Sequence, residues 1–290
     1  MDAAKLASQL EGECQLVVLD SVSSTNDEIV DRVRSGTYSL NLPLFVVSTC
    51  QTVGRGRLGR SWLSPLGGIY LSALLSLKTG HTGEDAQASL SPLVAMAVRD
   101  ALQHFQVGEV RIKWPNDVLS SFGKLAGILI EMKQKSALLC DFPAGQDKPE
   151  TSDKSLELHE AHEPDEPQFA IIGIGLNVRR PDSGAFEAAG YLDDEFDRYP
   201  PLEDVAATTI NKLLTYFTKW QREGCSFGSF TTDYLAHMAQ IGESVCVRNA
   251  LGSEIASGLV LGIDDQGRLL LSTAAGNKML AAGEITLRNP

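Results

Sequence analysis

Between Gly54 and Trp62 the chain reads GRGRLGRSW, which sets Arg55, Arg57 and Arg60 among three glycines. Glycine tolerates positive φ and lets main-chain N–H groups approach a ligand, while a guanidinium fork meets carboxylate or phosphate oxygens two at a time. The pattern suits a loop that closes on an anion, although a solvated basic hairpin turn has the same composition. Four other segments could do chemistry. Ser23-Ser24-Thr25-Asn26 gathers hydroxyl and amide groups where a strand gives way to a helix; a plain helix cap reads the same way. Lys113 to Asp117, KWPND, ends an apolar run with a proline and then offers an amide and a carboxylate, as a turn also would. Lys124 to Ile130, KLAGILI, opens a buried-type strand with a lysine, and Gly127 leaves room for something to approach its backbone. Gly173 to Asn177, GIGLN, is half of a dinucleotide fingerprint without its third glycine or following helix, which makes a Rossmann reading weak.

The elements that must position these groups follow from periodicity. Gln15 to Asp20 and Leu44 to Thr49 read as strands, and Thr25 to Arg34 as a helix with Thr25 at the N-cap and Glu28 completing a capping box. Gly68 to Leu77 reads as a strand, and Ser91 to Phe105 as a helix started by Ser-Pro and ending near Val107-Gly108. Val110 to Trp114, Leu125 to Met132 and Phe169 to Val178 are largely apolar in character, which predicts strands buried on both faces of a mixed central sheet. Helical spacing returns at Leu202 to Trp220 and Phe227 to Ala239, with Phe217 and Trp220 as core residues. From Ile241 short runs alternate with glycine-containing turns, the pattern of a small β-barrel. This divides the chain into a domain at 1–240 and a second at 241–290.

Composition bounds the rest. The net charge is −12 over 290 residues, and nine acidic side chains against Lys148 and Lys154 in 141–167 account for −7 of it. That Pro- and Asp/Glu-rich segment reads as a mobile surface insertion between two strands; its His159 and His162 fall short of a metal site. An acidic chain is a poor general binder of nucleic acid. Cys14, Cys50, Cys140, Cys225 and Cys246 are scattered and odd in number, which points to reduced thiols. With no export signal and no apolar stretch of membrane-spanning length, the expected compartment is cytoplasmic.

Taken in order and with their spacing, SSTN, Q-x-x-GRGR-x-GR-x-W, KWPND, KLAGIL and GIGLN closely resemble the biotin protein ligases, from residue 15 to about 180 and on into the small C-terminal barrel. The resemblance implies an α+β fold: a class II synthetase-like catalytic domain with a mixed β-sheet flanked by helices, plus a C-terminal SH3-like β-barrel. It implies an enzyme that activates biotin with ATP and Mg²⁺ to biotinyl-5′-AMP and passes the biotinyl group to a lysine of an apo biotin carboxyl carrier domain. No tightly bound prosthetic group, nucleic acid or membrane is expected. By similarity, Ser24, Thr25, Asn26 and Gln51 serve the ureido ring, and Gly54, Gly127 and Gly175 line the thiophane ring and valeryl chain. Arg57 and Lys124 contact the carboxylate and α-phosphate, with Arg55 ordering the loop over biotin. Trp62, Asn116 and Asn177 form the adenylate side, and Asp117 orients the acceptor amine, although magnesium ligation or a turn would also explain it. The metal ligands are unknown. Leu58 and Gly123 depart from the family pattern, which often has basic residues there, and so does the insertion at 141–167. With little chain ahead of the catalytic domain, the resemblance is to monofunctional members that lack a DNA-binding domain. The alternatives are a lipoate or octanoate ligase, whose loop differs from GRGRLGR, and a non-catalytic biotin or nucleotide sensor.

Overall fold

The computed structural model describes residues 1–77, 84–139, 166–181, 189–196 and 200–287. In chain order these form α1 (Ala3–Ser8), β1 (Gln15–Leu19), α2 (Thr25–Arg34), β2 (Leu44–Ser48), β3 (Ile69–Ser76), α3 (Glu84–His104), β4 (Arg111–Lys113), β5 (Asp117–Ser120), β6 (Gly123–Gln134), α4 (Lys135–Leu139) and β7 (Gln168–Leu176). Then come α5 (Leu202–Arg222), α6 (Thr231–His237), β8 (Ser244–Arg248), β9 (Glu254–Ile263), β10 (Leu269–Thr273), β11 (Gly276–Leu280) and β12 (Glu284–Leu287).

A seven-stranded sheet has the order β1-β2-β3-β7-β6-β5-β4. It is mixed because α2 carries the chain from β1 to a parallel β2, while the later pairings are antiparallel. Successive residues of a strand face opposite sides of the sheet. In β2, Phe45 and Val47 enter the larger core with α3 and α5, and Leu44 and Val46 enter a smaller one with α2. Burial on both faces is why the strand reads as an unbroken apolar run.

The C-terminal strands form a five-stranded antiparallel sheet, β11-β10-β9-β8-β12. Val245, Val247, Val260 and Leu271 join the larger core. The Trp114 indole N–H donates to Gly267 O at 2.9 Å across this junction.

Four expectations are corrected. Strands β4 and β6 are not buried on both faces: Arg111 is exposed because β4 is an edge strand, and β6 alternates buried with half-buried residues because one face of it meets the larger core. The N-cap of α2 is Ser24, whose extended backbone (φ −153°, ψ 130°) and hydroxyl accept the helix start, because the Thr25 hydroxyl is engaged elsewhere. Helix α3 begins at Glu84 and carries Pro92 inside it, not at its start. Proline has no N–H to give the carbonyl four residues back, and Gly267 lies so close there that a Cβ on it would sit 3.0 Å from Ala88 O. The helix expected over Phe227 to Ala239 is a 3₁₀ turn, Gly228–Phe230, followed by the short α6. The acidic insertion, with His159 and His162, falls outside the described residues apart from positions 166 and 167.

Candidate functional site

The N-terminus of α2 packs on one face of the sheet, against β3. Ser24, Thr25 and Asn26 are only 3–4% exposed, because they pack against β3. Ser72, a fully buried serine of β3, lies 2.7 Å from Thr25 Oγ1 and 2.6 Å from Asn26 Oδ1. Asn26 Nδ2 donates to Glu131 Oε2 at 2.7 Å. Gln51 ties this cluster to the arginine loop: its Oε1 accepts the Thr25 N–H at 2.8 Å, and its Nε2 donates to Ser64 Oγ at 3.0 Å. Beneath the loop the Tyr70 hydroxyl donates to Pro65 O at 2.9 Å, and burial raises its pKa, which keeps it a donor.

The loop is a tight hairpin, with Trp62 N–H on Gly54 O at 2.8 Å and Gly56 N–H on Arg60 O at 2.7 Å. A side chain at Gly54 would collide with Trp62 O at 2.3 Å, so only glycine fits. The hairpin reading and the ligand-loop reading are therefore compatible, since the hairpin presents its arginines to a shared trough. Arg55 Nη2 donates to Asp27 Oδ1 at 2.6 Å and to Glu131 Oε2 at 3.3 Å. Arg57 donates to Asn116 Oδ1 at 2.7 Å and to Gly283 O of the C-terminal sheet at 3.3 Å.

The opposite wall is the β4–β5–β6 hairpin pair. KWPND contains a cis Trp114–Pro115 bond, and Asp117 then opens β5, a strand that the sequence did not disclose. Asn116 is fixed to β6 by a reciprocal pair of bonds with Ile128, through its side-chain amide and its carbonyl, both at 3.0 Å. Lys124 Nζ lies 2.7 Å from Asp117 Oδ1 and 5.0 Å from the Trp62 ring centroid. Gly123 has φ 130°, a conformation that a side chain would strain. Asn177 stands behind Lys124, donating its side-chain N–H to Lys124 O at 2.9 Å.

Gly127 and Gly175 are register partners on β6 and β7, and the Trp62 indole lies across them. A Cβ would come within 2.8 Å of the ring at Gly127 and 2.3 Å of its Nε1 at Gly175. The buried indole N–H has no hydrogen-bond partner among the described residues. Beside the ring lie a cavity of about 60 Å³ and a second of about 250 Å³, with Gly56, Arg57, Trp62, Asn116 and Lys124 lining both.

Of the residues singled out in the sequence, Ser24, Thr25, Asn26, Gln51, Arg55, Arg57, Trp62, Asn116, Lys124, Gly127 and Gly175 line the first cavity together. Asp117 lines the second, alongside Arg57, Arg60, Trp62, Asn116 and Lys124. Gly54 and Asn177 brace the walls from behind. Sequence reasoning missed Ser72, Glu131 and Gly283. The first two carried a usable signal, a serine in the middle of the apolar run IYLSALL and a lone acid in GILIEM; Gly283 carried none, since only its carbonyl takes part. Among the described residues no three His, Cys, Asp or Glu side chains converge as a metal site, and no helix is long and apolar enough to cross a membrane.

Residues 18–140 match the model of the biotin/lipoate A/B protein ligase family, and residues 241–288 match that of the biotin protein ligase C-terminal domain. The bifunctional ligase/repressor BirA of Salmonella typhimurium is 29% identical over 100% of this chain and 79% of its own length. The biotin–[acetyl-CoA-carboxylase] ligase of Paracoccus denitrificans is 29% identical over 92% of this chain and 98% of its own. Among solved structures, a biotin protein ligase from Aquifex aeolicus in complex with biotin and ATP superimposes with a TM-score of 0.69 at 25% identity, covering 95% of this chain and 99% of that one.

Proposed function

The chain belongs to the biotin protein ligases, and on that premise we infer an ATP-dependent enzyme that activates biotin and transfers the biotinyl group to a lysine of an acceptor protein. The observation that carries this reading is the convergence, in one trough, of a polar cluster at the α2 N-terminus with Arg57, Asn116 and Lys124. The first step joins two anions. A carboxylate oxygen of biotin attacks the α-phosphorus of ATP and pyrophosphate leaves, so fixed cations must hold the reactants together and stabilise the charge that builds at phosphorus. Arg57 and Lys124 are those cations, and Asn116 holds Arg57 in place at 2.7 Å. Thr25, Asn26 and Gln51 supply the donors and acceptors that a ureido ring with two N–H groups and one carbonyl requires.

In the second step the neutral lysine amine of the acceptor attacks the acyl carbonyl and AMP leaves. We assign Asp117 to orient that amine. It is the carboxylate that lines the second cavity, and once Lys124 turns to the phosphate its oxygen faces the space by which the amine arrives. Mg²⁺ would come with the nucleotide phosphates, as this ion commonly does, and would screen their charge; Asp117, which lines the second cavity, would be a carboxylate within its reach. A biotin carboxyl carrier domain is the acceptor we propose, and the cytoplasm the compartment, in keeping with four unbridged described cysteines. The test is intact-mass analysis of an apo carrier domain after incubation with the enzyme, ATP and biotin, with lipoate in a parallel reaction. One added biotinyl group, dependent on ATP, is the expected result; modification by lipoate alone, or none, overturns it.

A further inference from the structure

Behind the residues expected to meet biotin lies a chain of hydrogen bonds whose polarity is set from its far end. Glu131, on β6, accepts from both Asn26 Nδ2 and Arg55 Nη2, through the same oxygen. A carboxylate paired with arginine offers Asn26 only acceptors, so the amide nitrogen of Asn26 must face it and Oδ1 must face Ser72. Ser72 is fully buried and lies within bonding distance of two oxygens, Asn26 Oδ1 and Thr25 Oγ1. Its hydroxyl has one proton. An amide oxygen can only accept, so the Ser72 proton goes to Asn26, and the 2.7 Å contact to Thr25 then requires the threonine hydroxyl to donate to Ser72. Gln51 Oε1, 3.1 Å from the same hydroxyl, already has the Thr25 backbone N–H. The Thr25 oxygen is thereby left with lone pairs and no proton to give, an obligate acceptor at the wall of the cavity. Gly173 completes the arrangement, since a Cβ there would sit 2.6 Å from Asn26 Oδ1 and break the row.

We propose that Glu131 and Ser72 are positioning residues that make Thr25 an acceptor for one ureido N–H of biotin, so that the site recognises the ring by proton polarity as well as by shape. The proposal rests on the biotin reading of the trough. Neither residue lines the cavity, and both act through Asn26 and Thr25. Because Arg55 shares the Glu131 oxygen, closure of the arginine loop and the polarity of the ureido site are mechanically joined.

The test compares two ligands by calorimetry: biotin, and a cyclic carbamate analogue in which ring oxygen replaces one ureido N–H. Wild type is expected to prefer biotin by about a hundredfold, the order expected when a polar site faces a ligand atom of the wrong sense. In Ser72→Ala the Thr25 hydroxyl is released and can turn to donate, so biotin weakens, the carbamate does not, and the preference falls below about tenfold. Glu131→Gln, in which the amide can present either end to Asn26, gives an intermediate preference. Turnover at saturating biotin stays near the wild-type value in both, with the effect in KM for biotin and not in KM for ATP. A preference unchanged in both variants, or equal weakening of both ligands, overturns the relay. If Ser72→Ala fails to fold, Glu131→Gln alone decides. Wild type that binds no biotin at all would instead overturn the functional reading.

Discussion

At the α2 end of the trough Ser24, Thr25 and Asn26 are nearly solvent-free, with Thr25 and Asn26 hydrogen-bonded into the sheet, whereas at the loop end Leu58 is 42% exposed and the Arg55 side chain 41%. The Trp62 indole occupies the space between the ends, with an orphan N–H. The first end is preorganised: its donors and acceptors are fixed by neighbours that also build the core, so a ring that matches them meets little ordering cost. The second is organised around itself. Arg55 is tied to Asp27 and Glu131, Arg57 to Asn116 and Gly283, and Lys124 to Asp117, so each cation meant for an anionic ligand already has a protein oxygen to leave. On the proposed assignment, the ureido end would recognise its ring before anything moves, and the adenylate end would be completed as ligand replaces these internal contacts.

The largest consequence falls on Lys124. Lys124→Ala is expected to slow pyrophosphate release by about a hundredfold or more, because one preorganised charge-stabilising donor is typically worth about 3 kcal/mol at the transition state. Near-normal turnover would remove Lys124 from the reaction and leave its Asp117 contact as a surface-type pair. Next is ligand linkage. Biotin alone engages the rigid end and biotin with ATP engages both, so thermal melts are expected to show a much larger stabilisation with the pair. A ligand at 100 times its Kd contributes about 2.7 kcal/mol, and the tighter adenylate contributes more. Equal shifts would mean that the loop end gains nothing from the nucleotide.

A smaller effect reports the movement directly. The sequence has three tryptophans, and Trp114 and Trp220 are at most 1% exposed in the core. A change of intrinsic fluorescence on adding biotin and ATP is therefore expected to come from Trp62 leaving Gly127 and Gly175, and to vanish in Trp62→Phe. Persistence of the change in that variant would place the rearrangement elsewhere.

How much of this was legible in the sequence differs between the same two regions. The arginines, Lys124, Asn116 and the SSTN cluster were visible because chemistry demands particular side chains at short spacing. Strands β2 and β3 were visible because burial on both faces leaves apolar runs, whereas β4, with Arg111 exposed, and β6, buried on one face, were recognisable only as mostly apolar segments. The cap was misplaced by one residue because Ser24 and Thr25 are equally good caps locally, and only the sheet decides that Thr25 is needed by Gln51 and Ser72. The start of α3 was misread because Ser-Pro is a good helix opening in isolation; a proline is tolerated inside it where Gly267, 175 positions further on, packs over the gap. Ser72 and Glu131 were invisible as site residues because their role exists only once β3, β6 and α2 are side by side.

The smallest effect gives the sharpest test of the contrast. Leu58 sits at φ 58°, ψ 34°, a left-handed conformation that a leucine adopts only under constraint and that asparagine tolerates well. Its side chain is partly exposed, so Leu58→Asn sacrifices little packing and is expected to relieve roughly 0.5–1 kcal/mol of backbone strain. Where that relief appears is informative. If the hairpin holds this conformation without ligand, the free protein gains the stability and its melting temperature rises by a degree or two, while affinity for biotinyl-AMP is unchanged. If the hairpin takes this conformation only around the ligand, the free protein melts as before and the adenylate binds a few-fold more tightly, because strain is removed from the bound state alone. Melting the free protein and measuring adenylate dissociation in the same pair of variants separates these outcomes. A rise in melting temperature with no change in dissociation would make the loop end as preformed as the ureido end, and the division between them would fall.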